Sequence, residues 1–211
     1  MQVEVYFDVL CPWCYIGHRR LATALAGRDA PVVVWRSLEL APDGDRVPGE
    51  TAAEVIARYA GSTEQAAERL KLIESNGAAE GLRLDLHRAR PVNSFDAHRL
   101  VKLAAAHRRV DEVLELLLHG YHTEGLNIAD ASVLQRLGTE AGLDPSEVHR
   151  VLSGTEFAAD VRADERRAAA HGIRGVPTLV VDGGPPASLI QDPAALARLL
   201  STPSATPQGS Q

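Results

Sequence analysis

The chain holds two cysteines, and they stand together as Cys11-Pro12-Trp13-Cys14. Closing a ring over two intervening residues stabilises a fold little, because the entropy a disulfide removes from the unfolded chain grows with loop length. A pair this close suits chemistry better, and the residue types allow two kinds: thiol–disulfide exchange or metal binding. Exchange needs one thiolate that attacks and a second thiol that resolves the mixed disulfide. A structural zinc site needs four ligands. His119 and His122, three apart on an expected helix, are the candidates to complete a Cys2His2 set. Redox chemistry needs no further ligand and is the preferred reading, with no metal and with both histidines as ordinary helix residues.

The flanking residues must place the pair. Residues 2–10 alternate, with Val3, Val5, Phe7 and Val9 on one face, and read as a strand. A helix is expected from about Cys14 to Leu25, with Pro12 in a first turn where its missing N–H costs nothing. Residues 31–40 read as a second strand, buried on both faces for much of its length, which makes a βαβ unit with a parallel pair. Cys11 then sits at a helix N-terminus, whose unpaired N–H groups and partial positive charge favour a thiolate. Cys14, one turn on, lies nearer the interior. Cys11 is therefore read as nucleophile and Cys14 as resolving thiol. Pro12 and Trp13 shape the turn and are read as substrate contacts, with Trp13 exposed beside the pair. Asp8, three residues before Cys11, could relay a proton from Cys14; the alternative is a strand-end carboxylate in water. His18 reads as a surface helix residue.

From about residue 51 to 171 the spacing is nearly all helical. Helices are expected over 95–108, 110–123, 131–141 and 155–171, with 81–91 as a less regular link. Ser62-Thr63-Glu64-Gln65 and Asp144-Pro145-Ser146-Glu147 both look like capping boxes. Strands return at 176–182 and 187–190, and a last helix runs from Asp192 to Leu200. The polar stretch 201–211 reads as a disordered tail. Gly175-Val176-Pro177-Thr178 opens the third strand with a proline, which removes a ladder donor. It fits a cis bond facing a site, with the Val176 backbone offered to an extended substrate. The order of elements is that of an α/β protein with a helical block inside it.

Two stretches carry a family resemblance. Phe7-Asp8-Val9-Leu10-Cys11-Pro12-Trp13-Cys14-Tyr15-Ile16-Gly17 resembles the active-site segment of the DsbA-like thioredoxin superfamily, in its FrnE-like branch. Gly172-Ile173-Arg174-Gly175-Val176-Pro177-Thr178 is similar to that family's cis-proline loop. Asn93-Ser94-Phe95-Asp96-Ala97-His98-Arg99-Leu100 resembles the start of its insertion helix. The resemblance implies a thioredoxin-like fold with a large all-helical insertion. The thioredoxin-like part would be 1–45 with 155–200, the insertion 46–154. It also implies a thiol–disulfide oxidoreductase with Cys11 and Cys14 catalytic, Val176 and Pro177 at the substrate groove, and Asn93 and His98 as groove candidates. Ser188-Leu189-Ile190-Gln191 departs from the family's small-residue run before the last helix, so a backbone-lined pocket there should be narrowed. Gly183-Gly184-Pro185-Pro186 is an unusual hairpin connection.

A related branch holds 2-hydroxychromene-2-carboxylate isomerases and kappa-class glutathione transferases, similar in Tyr6-Phe7-Asp8 and in the helical block. These usually carry serine at the position of Cys11. The alternative function is thus a glutathione-dependent isomerase or transferase acting on a small aromatic or polyketide-like molecule. A redox-sensing or zinc-binding module without turnover is a third class. The remaining expectations come from composition. Of 211 residues 45% are hydrophobic, enough for a buried core, and the net charge of −6 argues against nucleic acid or anionic lipid as main partner. No run reads as a signal peptide or membrane span, so a cytoplasmic protein is expected. No tightly bound cofactor is expected, with glutathione a possible redox partner and a thiol or disulfide as substrate.

Overall fold

The structure is a computed structural model and describes residues 1–27 and 31–201. The expected tail falls, from residue 202 on, outside the described residues. In chain order the elements are β1 (Gln2–Phe7), α1 (Pro12–Leu25), β2 (Val32–Ser37), α2 (Ala52–Arg58), α3 (Thr63–Ala79), α4 (Phe95–Ala106) and α5 (Val110–His119). A single π-helical turn (Gly120–Glu124) follows, then α6 (Ala131–Glu140), α7 (Pro145–Ser153), α8 (Ala158–Ala170), β3 (Thr178–Val181), β4 (Ala187–Ser188) and α9 (Pro193–Leu199). The sheet order is β2-β1-β3-β4. β1 runs parallel to β2 and antiparallel to β3, so Val5 lies between Trp35 and Leu179.

Several features differ from the sequence expectation. β3 begins at Thr178, after the proline that lacks a ladder N–H, and β4 covers only Ala187–Ser188. β1 stops at Phe7 because the chain turns there, with the Cys11 N–H donating to the Asp8 carbonyl at 3.2 Å. The helix therefore begins at Pro12, two residues earlier than expected, with Cys11 as its cap. β2 is not buried on both faces: it is an edge strand, with Val32 exposed and Val33 and Val34 half-buried. The reciprocal capping box also lies elsewhere, at Thr51 and Glu54. Ser62 accepts from the Gln65 N–H at 3.2 Å, but the Gln65 side chain turns to the Gly61 N–H. Asp144 caps α7 by accepting from the Ser146 and Glu147 N–H groups.

The two faces of β1 are buried in different ways. Val3, Val5 and Phe7 join Ile16 and Leu21 of α1 and Leu100, Leu103, Leu114 and Leu117 of the helical block in one continuous apolar core. Each such side chain contributes about 1.5–3 kcal/mol on burial, so the block is packed onto the sheet over many contacts. On the other face Tyr6 packs with Ala168, Ile173 and Val180, while Glu4 meets Arg36 at 2.6 Å and Arg167 at 3.2 Å. Asp164 of α8 completes this face. It accepts from Arg36 at 3.0 Å, from the Ser37 N–H at 2.9 Å and from Lys102.

The helix that carries the cysteines is pinned at several points. Tyr15 Oη and Arg19 both donate to Glu115 of α5, at 2.7 and 2.5 Å. Arg20 donates to Glu80, Asn76 and the Ile190 carbonyl. Charge-assisted bonds of this kind are the stronger class, so α1 has little freedom to shift against α3 and α5.

Candidate active site

The strand-to-helix turn puts Cys11 at the cap of α1 and Cys14 on its first turn, where the Cys14 N–H donates to the Cys11 carbonyl at 2.9 Å. Cys11 is 5% exposed and Cys14 only 1%. Neither is in a disulfide. Burial, then the neighbouring Cys11 thiol, push the Cys14 thiol well above the ordinary cysteine range. Trp13 is half-buried against the core rather than fully exposed.

The second sequence motif meets the first. The Val176–Pro177 peptide bond is cis, and Cys11 Sγ lies 3.7 Å from the Val176 carbonyl, within reach of an S–H donor across 165 positions of sequence. Thr178 Oγ1 donates to the Gly175 carbonyl at 2.7 Å and fixes the loop. The Leu189 N–H donates to the Pro177 carbonyl at 3.3 Å. Leu189 is buried and packs so closely on Gly17 that a Cβ there would stand 3.0 Å from its side chain. The bulkier run at 188–191 thus fills space beside the proline.

Beneath the cysteines lies a buried polar cluster. Asp8 has no exposure, so the strand-end carboxylate in water does not hold. It accepts from the Leu10 N–H at 3.2 Å and the Leu40 N–H at 2.5 Å, and His98 Nε2 stands 3.5 Å from it. Burial alone would raise its pKa. The His98 contact and the two backbone donors outweigh that, and the carboxyl ends below its ordinary range. His98 is fully buried against Phe7, with ring centroids 4.9 Å apart, and so lines no open groove. Asn93 is a loop pin: its amide donates to the Pro42 carbonyl at 3.0 Å and its oxygen accepts from the Phe95 N–H at 3.1 Å.

Two histidines differ from their sequence reading, His122 and His18. His119 is half-buried at the end of α5 and faces Glu124, whereas His122 is fully buried. They diverge, and among the described residues no group of three His, Cys, Asp or Glu is placed to hold a metal. His122 faces the carbonyls of Val9 and Cys11, and burial lowers its pKa to about 4, so it is neutral. Among the described residues neither of its ring nitrogens makes a regular hydrogen bond, nor does the hydroxyl of buried Tyr121. The signal was present: His122 continues the apolar face set by Leu114, Leu118 and Tyr121. His18 is buried too, against Trp35. Glu39, beside the Leu40 donor, is a further residue the sequence did not single out. Burial and then Glu165 push its pKa to about 7, against the opposing charge of Arg162. A cleft of about 1010 Å³ opens between α1, β2, α4 and α8, but it is lined by Leu21, Trp35, Lys102 and Phe157 and by neither cysteine.

Residues 2–201 match the model of the DSBA-like thioredoxin domain. The chain belongs to that family. A solved structure of a probable DsbA oxidoreductase from Streptomyces coelicolor is 33% identical, covers 99% of this chain and 97% of its own, and has a TM-score of 0.88. The cytosolic disulfide reductase DsbM from Pseudomonas aeruginosa is 20% identical, with 95% and 97% covered and a TM-score of 0.65. A 2-hydroxychromene-2-carboxylate isomerase is 19% identical, with 95% and 93% covered and a TM-score of 0.69. The last two share the fold. This DSBA-like chain therefore has the thioredoxin-like fold, with four strands among its described residues.

Proposed function

We propose that this protein is a thiol–disulfide oxidoreductase of FrnE-like type in which Cys11 attacks and Cys14 resolves. The carrying observation is the approach of Cys11 Sγ to the Val176 carbonyl. It joins the reactive sulfur to a backbone edge that can pair with an extended substrate. The Cys11 thiolate attacks a substrate disulfide, one substrate thiolate leaves, and a mixed disulfide forms. Cys14 then loses its proton and attacks Cys11, so the second substrate thiolate leaves and the Cys11–Cys14 bond forms. Asp8 is the proposed acceptor of the Cys14 proton, and Pro12, Trp13, Val176 and Pro177 are the proposed substrate contacts. Cytoplasmic location and glutathione as redox partner belong to the same proposal; DsbM, a cytosolic relative in fold, has been solved with glutathione.

Insulin reduction separates the readings. Cys11→Ser should abolish dithiol exchange, and Cys14→Ser should accumulate mixed disulfides with substrate that are visible by intact-mass spectrometry. Undiminished insulin reduction by Cys11→Ser would overturn the assignment. The alternative, a glutathione-dependent isomerase or transferase acting on a small aromatic molecule, draws on the shared fold with the isomerase. Glutathione-dependent turnover of such a molecule by Cys11→Ser would favour it.

A further inference from the structure

We propose that His98 is a positioning residue that keeps Asp8 in its carboxylate form beside Cys14, and so sets the pH range over which Cys14 resolves a mixed disulfide. The inference rests on the exchange reading above. Asp8 and His98 come from different elements, the end of β1 and the second turn of α4, and neither has any exposure. A fully buried carboxyl without partners keeps its proton at neutral pH, because its pKa can rise by roughly 3–5 units. In that state it could not take another from Cys14. His98 Nε2 is the side-chain nitrogen that stands 3.5 Å from Asp8. Phe7 lies against the imidazole, and among the described residues Nδ1 has no hydrogen-bond partner, while Nε2 approaches Asp8 as a close polar contact outside regular hydrogen-bond geometry. The polar neighbour His98 faces is thus Asp8.

The other groups that face Asp8 do not replace His98. From α1 comes Cys14, held as a thiol by burial. From the π-helical turn come Tyr121, whose pKa is raised by burial, and His122, held neutral. Glu39, after β2, is an acid with its pKa near 7 and adds no positive charge; Arg162 pairs with Glu39 at 2.7 Å. The Leu10 and Leu40 N–H groups assist, but both belong to the backbone and are independent of side-chain identity.

In the resolving step the Cys14 S–H proton passes to the Asp8 carboxylate and the thiolate attacks Cys11. The Cys11–Cys14 bond forms, the bond from Cys11 to the substrate sulfur breaks, and the leaving thiolate takes up a proton. Overall the protein dithiol is oxidised by two electrons and the substrate disulfide is reduced to two thiols. Without His98, Asp8 would keep its proton to higher pH and arrive at this step protonated over a wider acid range.

Two readouts test the role in the full-length protein. The first is the NMR titration of the Asp8 carboxyl carbon in the reduced protein, which needs no turnover. The second is the pH dependence of release of the second thionitrobenzoate after reaction with the aromatic disulfide DTNB, which reports resolution by Cys14. His98→Leu should raise the Asp8 midpoint and the acid limb of the release rate together, by about one pH unit or more. His98→Gln, which keeps an N–H donor, should stay close to wild type. His98→Met is a second apolar variant should leucine prevent folding. An unmoved Asp8 midpoint in a folded apolar variant overturns the proposal. So does a moved midpoint with an unmoved acid limb, which would leave His98 with no part in resolution. Failure of the wild-type protein to release the second equivalent overturns the exchange reading instead, while the Asp8 midpoint still reports whether His98 holds the carboxylate.

Discussion

Asp8 and Asp164 are both buried in this fold, and their surroundings differ. Asp164 is satisfied on every side: Arg36, Lys102 and the Ser37 N–H all donate to it. Asp8 also has backbone donors, but the side chains around it are short of partners. Both ring nitrogens of His98 and His122 and the Tyr121 hydroxyl make no regular hydrogen bond. Buried polar groups are normally paired, and a site that leaves several unpaired beside a reactive pair is a place where protons can be exchanged. A carboxylate with three donors, Asp164, fastens a helix to a sheet. The difference separates charge that holds the molecule together from charge that serves the cysteines.

That contrast can be broken by substitution. The largest stability effect is expected at Asp164→Ala, which leaves Lys102 without its carboxylate and Arg36 with Glu4 alone in a partly buried site. Urea unfolding should show a loss of about 3–5 kcal/mol, with insulin reduction per folded molecule unchanged. An equal loss of intrinsic activity would end the separation of roles.

Glu39, paired with Arg162 at 2.7 Å, comes next. Its folded pKa, about 7, is above the ordinary carboxylate value. For a raised pKa the stabilising contribution is complete below the ordinary value and is lost as pH rises through the folded value. Wild type should therefore lose about 1–2 kcal/mol between roughly pH 4.5 and 7 from this group, discounted for screening around half-exposed Arg162. Glu39→Gln should flatten that slope when unfolding is measured at several pH values.

Asp8 titrates in the opposite sense. Its folded pKa is lowered, so its contribution is present above the ordinary aspartate value and fades as pH falls through the folded value. The stability difference between wild type and Asp8→Asn should narrow below about pH 4, by about 1.4 kcal/mol for each unit of displacement. A difference that stays constant with pH would show that Asp8 acts only through packing. The smallest effect belongs to the exposed pair Arg109–Glu112, at 2.8 Å. Glu112→Ala should change stability by about 0.2–1 kcal/mol at most, since water screens the pair. A larger loss would mean that surface pairs compete with the buried clusters.

Much of the active site was legible in sequence because its chemistry is local. Two cysteines two residues apart, after an alternating strand and before a proline suited to a first helical turn, specify a strand-to-helix turn with a thiol at the helix cap. The Val176-Pro177 pair was recognisable as a candidate cis bond because proline has no N–H to give a ladder, although the strand begins only after it, at Thr178. The parallel β1–β2 pair followed from the strand–helix–strand order of the opening residues. Periodicity also placed the helices of the block, because a 3.6-residue repeat of apolar positions has to bury one face.

What the sequence left open were partners, and partners are made by packing. Asp8 in one dimension is a carboxylate at a strand end; only the approach of α4 and of the Leu40 backbone seals it from water and keeps it charged. His98 read as a groove candidate and His122 as an ordinary helix residue, because spacing gives the face of a helix but not what lies against it. The edge position of β2 was likewise hidden, since an apolar run looks the same at the centre of a sheet and at its border. By itself the sequence determined where a thiol pair stands and which turn presents it. The tertiary structure decided which distant carbonyl meets Cys11 and which histidine holds Asp8, because both contacts depend on elements that are remote in the chain and adjacent only once the core has formed.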